Sequence, residues 1–261
     1  MSGRRYLCGL GRKVFLPSKD DGILSRISRK IFDLRFVLLD QKSKDRLSRE
    51  IWSGDAGGSW IEFKRVKYLK GEMGGFLRDV RGPLEAMATD YLKNNMRCGN
   101  VIDIGTGSGE FCFALAGKIP NVLFTGLDLN REAVTKNMAD ACSKGLMDRI
   151  GFECADAVEW FKSRPGAGEF LALSVGTLKF FVPARLKELI KAMKMSSGKF
   201  ALGICEESAP GSTRSTYSGT MGYRHDYISL FKREGLVLVS EKRFFAGGTP
   251  ILCALARYEG R

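Results

Sequence analysis

The sequence predicts an α/β fold, in which a doubly wound, seven-stranded sheet with its last strand antiparallel follows an N-terminal helical region. Residues 100–205 alternate strand-sized apolar runs with helix-length runs, which is typical of a parallel sheet covered by helices on both faces. Two further strand-like runs follow. Because only residues 246–249 separate them, they are predicted to form an antiparallel hairpin.

Composition supports one large folded unit with a sizeable core. Of the 261 residues, 44% are hydrophobic and 27% are charged, which excludes wholesale disorder. No apolar run approaches the roughly 18 residues that a membrane-spanning helix needs. No apolar segment of a secretory signal follows Met1. We therefore expect neither a membrane partner nor secretion.

The seven cysteines are scattered along the chain, and their number is odd. None belongs to a C-x-x-C pair, and the chain has a single histidine. The sequence therefore predicts neither a disulfide framework nor a zinc site. These features fit a reducing compartment, and we expect a cytoplasmic protein that binds no metal.

The charge is strongly positive and unevenly distributed. The net charge is +13, and residues 1–100, with 21 basic and 12 acidic side chains, contribute +9 of it. Such a basic front half can bind nucleic acid or an anionic substrate, or it can simply be a solvated surface. Because the sequence has no basic stripe interleaved with aromatic residues, nucleic-acid binding is possible but is not favoured.

The first 80 residues show no alternation of strands and helices. Apolar residues recur at helical spacing over 23–39, and residues 42–49 are charged and expected to be exposed. Residues 53–59, SGDAGGS, are typical of a loop. A helix is predicted over 84–95, with Pro83 in its first turn.

Strands and helices alternate from residue 100 onward. The predicted strands cover residues 100–104, 122–129, 150–154, 170–174, 199–205, 236–245 and 250–258. The predicted helices cover residues 110–118, 131–144, 157–163, 184–195 and 227–234, and Gly235 ends the last of them. The stretch 208–222 is rich in Ser, Thr and Gly and is predicted to be a loop.

The segment 101–111, VIDIGTGSGEF, carries the most information about function. An apolar strand runs into three alternate glycines, Gly105, Gly107 and Gly109, and a helix follows. Glycine permits a ligand to approach the backbone closely, and the start of the next helix offers free N–H groups. A dinucleotide fingerprint, G-x-G-x-x-G, would place glycine at position 110, where this chain has glutamate.

This G-x-G-x-G pattern, with Asp103 two residues before the first glycine, resembles motif I of the class I S-adenosylmethionine-dependent methyltransferases. The resemblance extends to the ends of the next three strands, at residues 126–130, 153–157 and 173–177, and to the reversed hairpin. It implies a Rossmann-like domain over residues 81–261, methyl transfer as the activity and S-adenosyl-L-methionine as the cofactor. Residues 1–80 would then form a helical lid and substrate region.

The resemblance also implies a set of cofactor contacts at the carboxyl ends of the strands. Asp103 would hold the amino group of the methionyl part, Asp128 would accept bonds from both ribose hydroxyls, and Asp156 would accept the adenine amino proton. Asp128 and Asp156 can instead be helix N-caps. The full set consists of Asp103, Gly105, Thr106, Gly107, Gly109, Asp128, Leu129, Asp156, Ala157 and Ser174.

The end of the fourth strand bears on the methyl acceptor. Residues 174–177, SVGT, lack the [DNS]-P-P-[YFW] tetrapeptide and the Pro-Cys dipeptide of relatives that modify nucleobases. Ser174 stands where metal-dependent relatives place a carboxylate. The resemblance therefore implies a small-molecule acceptor that receives the methyl group on O, N or C, with an RNA or protein methyltransferase as the alternative. Aromatic residues that can line the acceptor pocket are Trp52, Trp60, Phe63, Tyr68, Tyr217, Tyr223 and Tyr227.

Methyl transfer from a sulfonium needs a base only when the acceptor must lose a proton. His225, which precedes Asp226 and a predicted helix, is the first candidate for that base, and Glu206 is the second. His225 can instead be a surface or capping residue, with Asp226 as the N-cap. A non-catalytic partner subunit is a further alternative, which the intact glycines and aspartates disfavour.

Overall fold

A computed structural model describes residues 23–70, 74–95, 99–208, 215–219, 221–246 and 248–260 of the protein. The strands are β1 Asn100–Ile104, β2 Leu123–Asp128, β3 Ile150–Cys154, β4 Phe170–Val175, β5 Lys199–Glu207, β6 Thr216–Gly219, β7 Gly222–Arg224, β8 Val237–Ala246 and β9 Thr249–Glu259. The helices are α1 Ile23–Leu38, α2 Gln41–Ser53, α3 Asp55–Leu69, α4 Gly74–Asn94, α5 Glu110–Ala116, α6 Arg131–Ser143, α7 Ala157–Lys162, α8 Pro183–Ser196 and α9 Tyr227–Arg233, with a 3-10 turn at Leu178–Phe180.

Seven strands form the central sheet, in the order β3-β2-β1-β4-β5-β9-β8. Strands β1 to β5 are parallel, and β9 is antiparallel to both of its neighbours. The predicted doubly wound sheet with a reversed last strand is therefore confirmed. The direction of winding changes between β1 and β4, and open α/β sheets bind ligands beyond the carboxyl ends of the strands at such a point.

Both faces of the sheet are buried under helices. Successive residues of β1 point to opposite faces, as in any strand. Val101 belongs to one apolar cluster with Leu84 of α4, whereas Ile102 belongs to another with Phe161 and Leu189 of α7 and α8. This double burial explains why the strands are continuous apolar runs in the sequence.

Helices α1 to α3 pack together with the β6–β7 hairpin beside the carboxyl edge of the sheet. Their apolar cluster consists of Phe32, Phe36, Leu47, Ile51, Ala56, Val182, Met221 and Tyr223. Ser48 Oγ donates a hydrogen bond to the Phe180 carbonyl oxygen over 3.2 Å, and Asn130 Nδ2 donates one to the Gly54 carbonyl oxygen over 3.1 Å. Together with the ion pairs Arg65–Asp140 and Lys136–Glu62, these bonds attach the N-terminal helices to the sheet domain.

Two of the N-terminal predictions are wrong. Residues 53–59 were expected to form a loop, but only Gly54 separates α2 from α3, which begins at Asp55. The stretch 42–49 is helical and not wholly exposed, since Leu47 and Ser48 are buried. Helix propensity is a weak guide when tertiary packing buries one face of a segment.

Helix α4 also differs from its prediction, because Pro83 lies inside it rather than in its first turn. Val80 and Leu84, on either side of the proline, are both buried, and Leu84 packs against the backbone of Gly203 in β5. Burial on both sides of the proline keeps the helix continuous despite the missing N–H group. The expected boundary between residues 80 and 81 therefore lies within a helix.

The stretch 208–222 is not a simple loop. Its described part contains β6, and β7 begins at Gly222, with Tyr217 paired to Tyr223 in an antiparallel ladder. Across the described residues, each helix is either too short or too polar to cross a bilayer.

Two strand glycines provide a test of packing at the sheet. A Cβ atom on Gly126 of β2 would lie 2.5 Å from the Phe152 ring and 2.8 Å from Thr106 Oγ1, whereas a Cβ on Gly151 of β3 would meet no atom within 4 Å. We expect Gly126→Ala to lower the free energy of unfolding by about 1–3 kcal/mol through overpacking. Gly151→Ala, the matched control, should change it by less than about 0.5 kcal/mol in urea titrations. Equal effects of the two substitutions would contradict this packing.

Candidate functional site

A cavity of about 650 Å³ lies between the carboxyl edge of the sheet and the N-terminal helices. Ligand pockets in proteins typically measure about 300–1,000 Å³. The sheet side is formed by the segments that follow β1, β2, β3 and β4. The residues of these segments that line it are Asp103, Ile104, Gly105, Thr106, Gly107, Ser108, Leu127, Asp128, Leu129, Ala155, Asp156, Ala157, Val175, Gly176 and Thr177.

The glycine turn after β1 has the geometry that its sequence predicts. Gly105 has φ +70°, and a Cβ atom there would lie 2.3 Å from the Thr177 side chain. Gly107 has φ +54° and no atom within 4 Å of a Cβ position, so its backbone is open to a ligand in the cavity. Gly109 does not line the cavity; it caps α5 among the Phe113 and Phe152 rings.

Asp103, one residue before the end of β1, is a buried carboxylate that still lines the cavity. Thr106 Oγ1 donates to Asp103 Oδ2 over 2.8 Å, and Cys112 Sγ donates to the same oxygen over 3.5 Å. Burial raises the pKa of Asp103 to about 6. Both hydrogen bonds found among the described residues use Oδ2, which leaves Oδ1 for a cationic ligand group.

Asp128 ends β2 and connects it to the glycine turn. Gly107 N–H donates to Asp128 Oδ2 and Asn130 N–H donates to Asp128 Oδ1, each over 2.9 Å. Burial raises the pKa of this carboxyl above its usual value. Asn130, not Asp128, caps α6, so the N-cap alternative for Asp128 is wrong. Each carboxylate oxygen retains a second lone pair for a hydroxyl donor.

Asp156 follows β3 and has several partners. Its Oδ1 accepts from the N–H groups of Val158 and Glu159 as the N-cap of α7, and Arg185 Nη2 donates to the same oxygen over 2.7 Å. The N-cap alternative for Asp156 is therefore confirmed. The side chain also lines the cavity beside Ala157, so capping and ligand contact are compatible here.

The opposite wall comes from the N-terminal helices and from the segment after β4. The Trp52 and Phe180 rings lie 4.6 Å apart, centroid to centroid, and Trp60 lies on the same side. Of the predicted aromatic set, Trp52 and Trp60 line the cavity, whereas Phe63, Tyr217, Tyr223 and Tyr227 do not. The side chain of Tyr68 lies outside the described residues.

Glu206 is buried behind the cavity wall and does not line it. Its Oε1 accepts hydrogen bonds from Ser174 Oγ and from the N–H groups of Thr177 and Leu178, each over 2.9 Å. Burial raises its pKa above the usual value. Glu206 therefore fastens the segment after β4, and this arrangement does not fit the predicted role as a base. Ser174, whose hydroxyl is used in this network, does not reach the cavity either.

His225 lies outside the cavity and is almost fully buried. Its Nδ1 is 2.7 Å from Ser215 Oγ, and its Nε2 is 3.1 Å from the Phe181 carbonyl oxygen. Burial lowers its pKa to about 4, so the ring is neutral at physiological pH. With both nitrogens engaged, His225 does not fit the predicted role as a general base. Asp226 caps α9 through the Ser229 N–H, as the alternative expected.

Comparisons with known proteins agree with this geometry. Residues 96–167 match a family model described as a methyltransferase domain. No curated protein gives a significant match to the chain. A solved structure of magnesium protoporphyrin IX methyltransferase from Synechocystis PCC 6803 with bound S-adenosylmethionine has a TM-score of 0.58 and 14% identity, and the match covers 85% of this chain and 98% of that one.

Two further solved structures share the fold. The 1,6-didemethyltoxoflavin-N1-methyltransferase of Burkholderia thailandensis has a TM-score of 0.57 and 16% identity, covering 76% of this chain and 87% of that one. The [4+2]-cyclase SpnF has a TM-score of 0.53 and 13% identity, covering 68% and 81%. At these identities the likeness establishes a common fold.

Residues 96–167 are thus similar to a methyltransferase domain, and the chain shares the fold of solved methyltransferases. This agrees with the resemblance seen in the sequence, and the motif residues Gly105 and Asp128 line the cavity. No group of His, Cys, Asp and Glu side chains within the described ranges is arranged to hold a metal ion.

Thr177 and Lys64 line the cavity but were not found by the sequence analysis. Thr177 donates through Oγ1 to the Gly105 carbonyl oxygen over 3.2 Å, and it thus joins the ends of β1 and β4. Its position just after a predicted parallel strand was the available signal. Lys64 projects from α3, and no sequence pattern distinguishes it from the many surface lysines.

Substitutions at Glu206 distinguish a structural role, in which it holds the segment after β4, from a catalytic role. We expect Glu206→Ala to lower the free energy of unfolding by about 3 kcal/mol or more, because three buried donors lose their acceptor. Glu206→Gln retains an acceptor oxygen and should keep most of the stability and the turnover. Glu207→Ala, which removes a partly exposed ion pair with Lys179, should cost less than about 1 kcal/mol. A stable Glu206→Gln protein without turnover would instead support the role as a base.

Proposed function

We propose that this protein transfers the methyl group of S-adenosyl-L-methionine to an O, N or C atom of a small molecule. One observation carries the proposal: the glycine turn and the carboxylates of Asp103, Asp128 and Asp156 line one cavity at the switch point of the sheet. The family match to residues 96–167 supports the same activity.

The residues present fit the cofactor chemically. Asp103 offers Oδ1 to the ammonium of the methionyl part, and Gly105, Thr106 and Gly107 offer an open backbone beside it. Asp128 has unused lone pairs for the two ribose hydroxyls. Leu129, Asp156 and Ala157 then surround the adenine. In this proposal Gly109 and Ser174 support the turn and the β4 segment instead of touching the cofactor.

S-adenosylmethionine supplies an activated methyl group on a sulfonium, which is already a good leaving group. The work left to the protein is to align the acceptor with that methyl and to exclude water. The N-terminal helices close one side of the cavity, and the rings of Trp52 and Phe180 contribute an apolar wall. Neither Glu206 nor His225 reaches the cavity, so the proposal assigns no proton transfer to either of them.

The cavity shape supports a small acceptor. The site lies beneath helices α1 to α3 and the β6–β7 hairpin, which surround the acceptor end. The solved structures that share this fold include a methyltransferase with bound 1,6-didemethyltoxoflavin and a magnesium protoporphyrin IX methyltransferase. An RNA acceptor would instead require binding that weakens steeply with salt, as phosphate contacts do.

We place this activity in a reducing, cytoplasmic setting. Cys112, Cys142, Cys154, Cys205 and Cys253, the cysteines in the described part of the chain, are all free thiols. Free thiols are typical of reducing compartments, whereas secreted proteins usually pair theirs.

Calorimetric titration with S-adenosylmethionine, S-adenosylhomocysteine and NAD tests cofactor choice. Incubation with methyl-labelled cofactor and a metabolite extract then tests transfer, with a gain of one labelled methyl as the positive result. The second step is needed because the same fold also occurs in a cyclase. Binding of NAD in place of S-adenosylmethionine would overturn the proposal.

Asp128 provides the sharpest test of the cofactor position. We expect Asp128→Ala to weaken S-adenosylhomocysteine binding by about 100-fold or more, since two charge-assisted hydrogen bonds to the ribose are lost and the Gly107 N–H loses its acceptor. Asp148→Ala removes an exposed aspartate far from the strand tips and serves as the control. Unchanged affinity in Asp128→Ala would count against the assigned ribose site.

The raised pKa of Asp103, about 6, predicts a pH dependence of cofactor binding. A raised carboxyl pKa means that the neutral form predominates below it, and a neutral carboxyl cannot balance the ammonium of the cofactor. Affinity should therefore fall as the pH drops from 7 to 5, by about tenfold at one unit below the pKa. Asp103→Asn should bind weakly and lose this part of the pH dependence, and an identical pH profile would contradict the contact.

A further inference from the structure

Lys64 lacks, among the residues that the structure describes, the close carboxylate partner that three other cations of the cavity have. Arg49, Lys179 and Arg185 each lie within 3 Å of a carboxylate oxygen of Asp45, Glu207 and Asp156, respectively. Lys64 forms neither a hydrogen bond nor an ion pair with any residue that the structure describes. Its Nζ instead lies 5.4 Å from the centre of the Trp60 ring.

The environment of Lys64 makes this isolation unfavourable. Lys64 is an exposed residue that lines the cavity. Desolvation, the largest cause, and the positive charge of Lys179 lower its pKa, whereas the charges of Glu110 and Glu206 act more weakly in the opposite direction. A cation removed from bulk water next to a second cation is stabilised when a ligand supplies a negative charge.

Lys64 and Lys179 would hold the negative charge of a ligand in the half of the cavity away from Asp156, which is the half left for the methyl acceptor. Lys179 follows β4 in the 3-10 turn and lines the cavity together with Lys64 of α3, close enough for its charge to act on the Lys64 ammonium. Asp156, proposed to contact the adenine, lies beyond β3 at the far edge of the parallel strands. Arg81, another cation of the cavity, differs from Lys64 because its Nη1 lies 3.9 Å from a carboxylate oxygen of Glu110 at the start of α5.

Aromatic rings accompany the two cations. Trp52 and Phe180 lie in contact, Trp60 lies under the Lys64 ammonium, and Lys179 Nζ is 5.2 Å from the centre of the Phe180 ring. Such a combination of flat apolar walls and positive charge suits a planar ring that carries an anionic substituent.

We infer that the methyl acceptor is a planar aromatic compound bearing a carboxylate or phosphate, which binds between Lys64 and Lys179 with its ring against Trp52 and Trp60. This inference rests on the proposed function, and it specifies the acceptor class. The anion fixes the acceptor at one end, so that its nucleophilic atom is held toward the glycine turn. A neutral analogue leaves the Lys64 charge without a partner, and the site discriminates against it.

The test uses the full-length protein saturated with S-adenosylhomocysteine and three probes of one shape: 2-naphthoate, 2-naphthyl phosphate and 2-naphthamide. Dissociation constants are measured by NMR titration. We expect one or both anionic probes to bind about tenfold or more tighter than the amide. The tighter of the two identifies the anion as carboxylate or phosphate. Lys64→Met should abolish the preference, and Lys64→Arg should retain it.

Lys67→Met is the matched control, because Lys67 lies on the same helix but covers the Phe63 ring outside the cavity. It should leave the preference unchanged. Equal binding of all three probes, no binding of either anion, or a preference that survives Lys64→Met would overturn the inference. Weaker S-adenosylhomocysteine binding in Lys64→Met would also overturn it, by assigning Lys64 to the cofactor. If the unaltered protein binds no S-adenosylhomocysteine, the proposed function itself fails.

Discussion

The hydrogen bonds of the Asp128 carboxylate hold the end of β2 and the glycine turn in one fixed arrangement. Its two oxygens accept main-chain N–H groups from the turn and from the start of α6. Glu206 has the same role on the other side of the switch point, where it accepts hydrogen bonds from the N–H groups that follow β4. Two buried carboxylates thus organise the backbone on both sides of the cleft, and charge-assisted hydrogen bonds offset the cost of burying them.

The rest of the cavity is built around this frame, which is the backbone that Asp128 and Glu206 hold on the two sides of the switch point. The Thr177 N–H donates to Glu206 and the Thr177 hydroxyl donates to the Gly105 carbonyl oxygen, so the ends of β1 and β4 are joined at the cavity wall. The N-terminal helices complete the cavity from outside, and they contact the frame through Ser48 and Asn130. The carboxyl edge of the sheet and the N-terminal helices therefore enclose one cavity.

Sequence patterns predicted the sheet more accurately than the surrounding wall. The bounds of β1 and β3 were predicted to the residue, because parallel strands buried on both faces are unmistakable apolar runs. The helical start of α3 at Asp55 and the continuous helix through Pro83 were missed, since tertiary burial outweighed local propensity in both. His225 and Glu206 were found near the site by position, but a sequence does not show that their polar atoms are already used by Phe181, Ser174 and the β4 segment. Lys64 could not be recognised from the sequence, because its lack of a carboxylate partner among the described residues is visible only in the folded structure.

The two ends of the cleft come from separate stretches of the chain. The strand tips after residue 100 form one end, and α2 and α3, before residue 70, contribute much of the other. Mutations in the helices can therefore reshape one end while leaving the strand tips unaltered. Proteins of this fold can therefore differ in the shape of the helical end and still keep the same arrangement of strand tips.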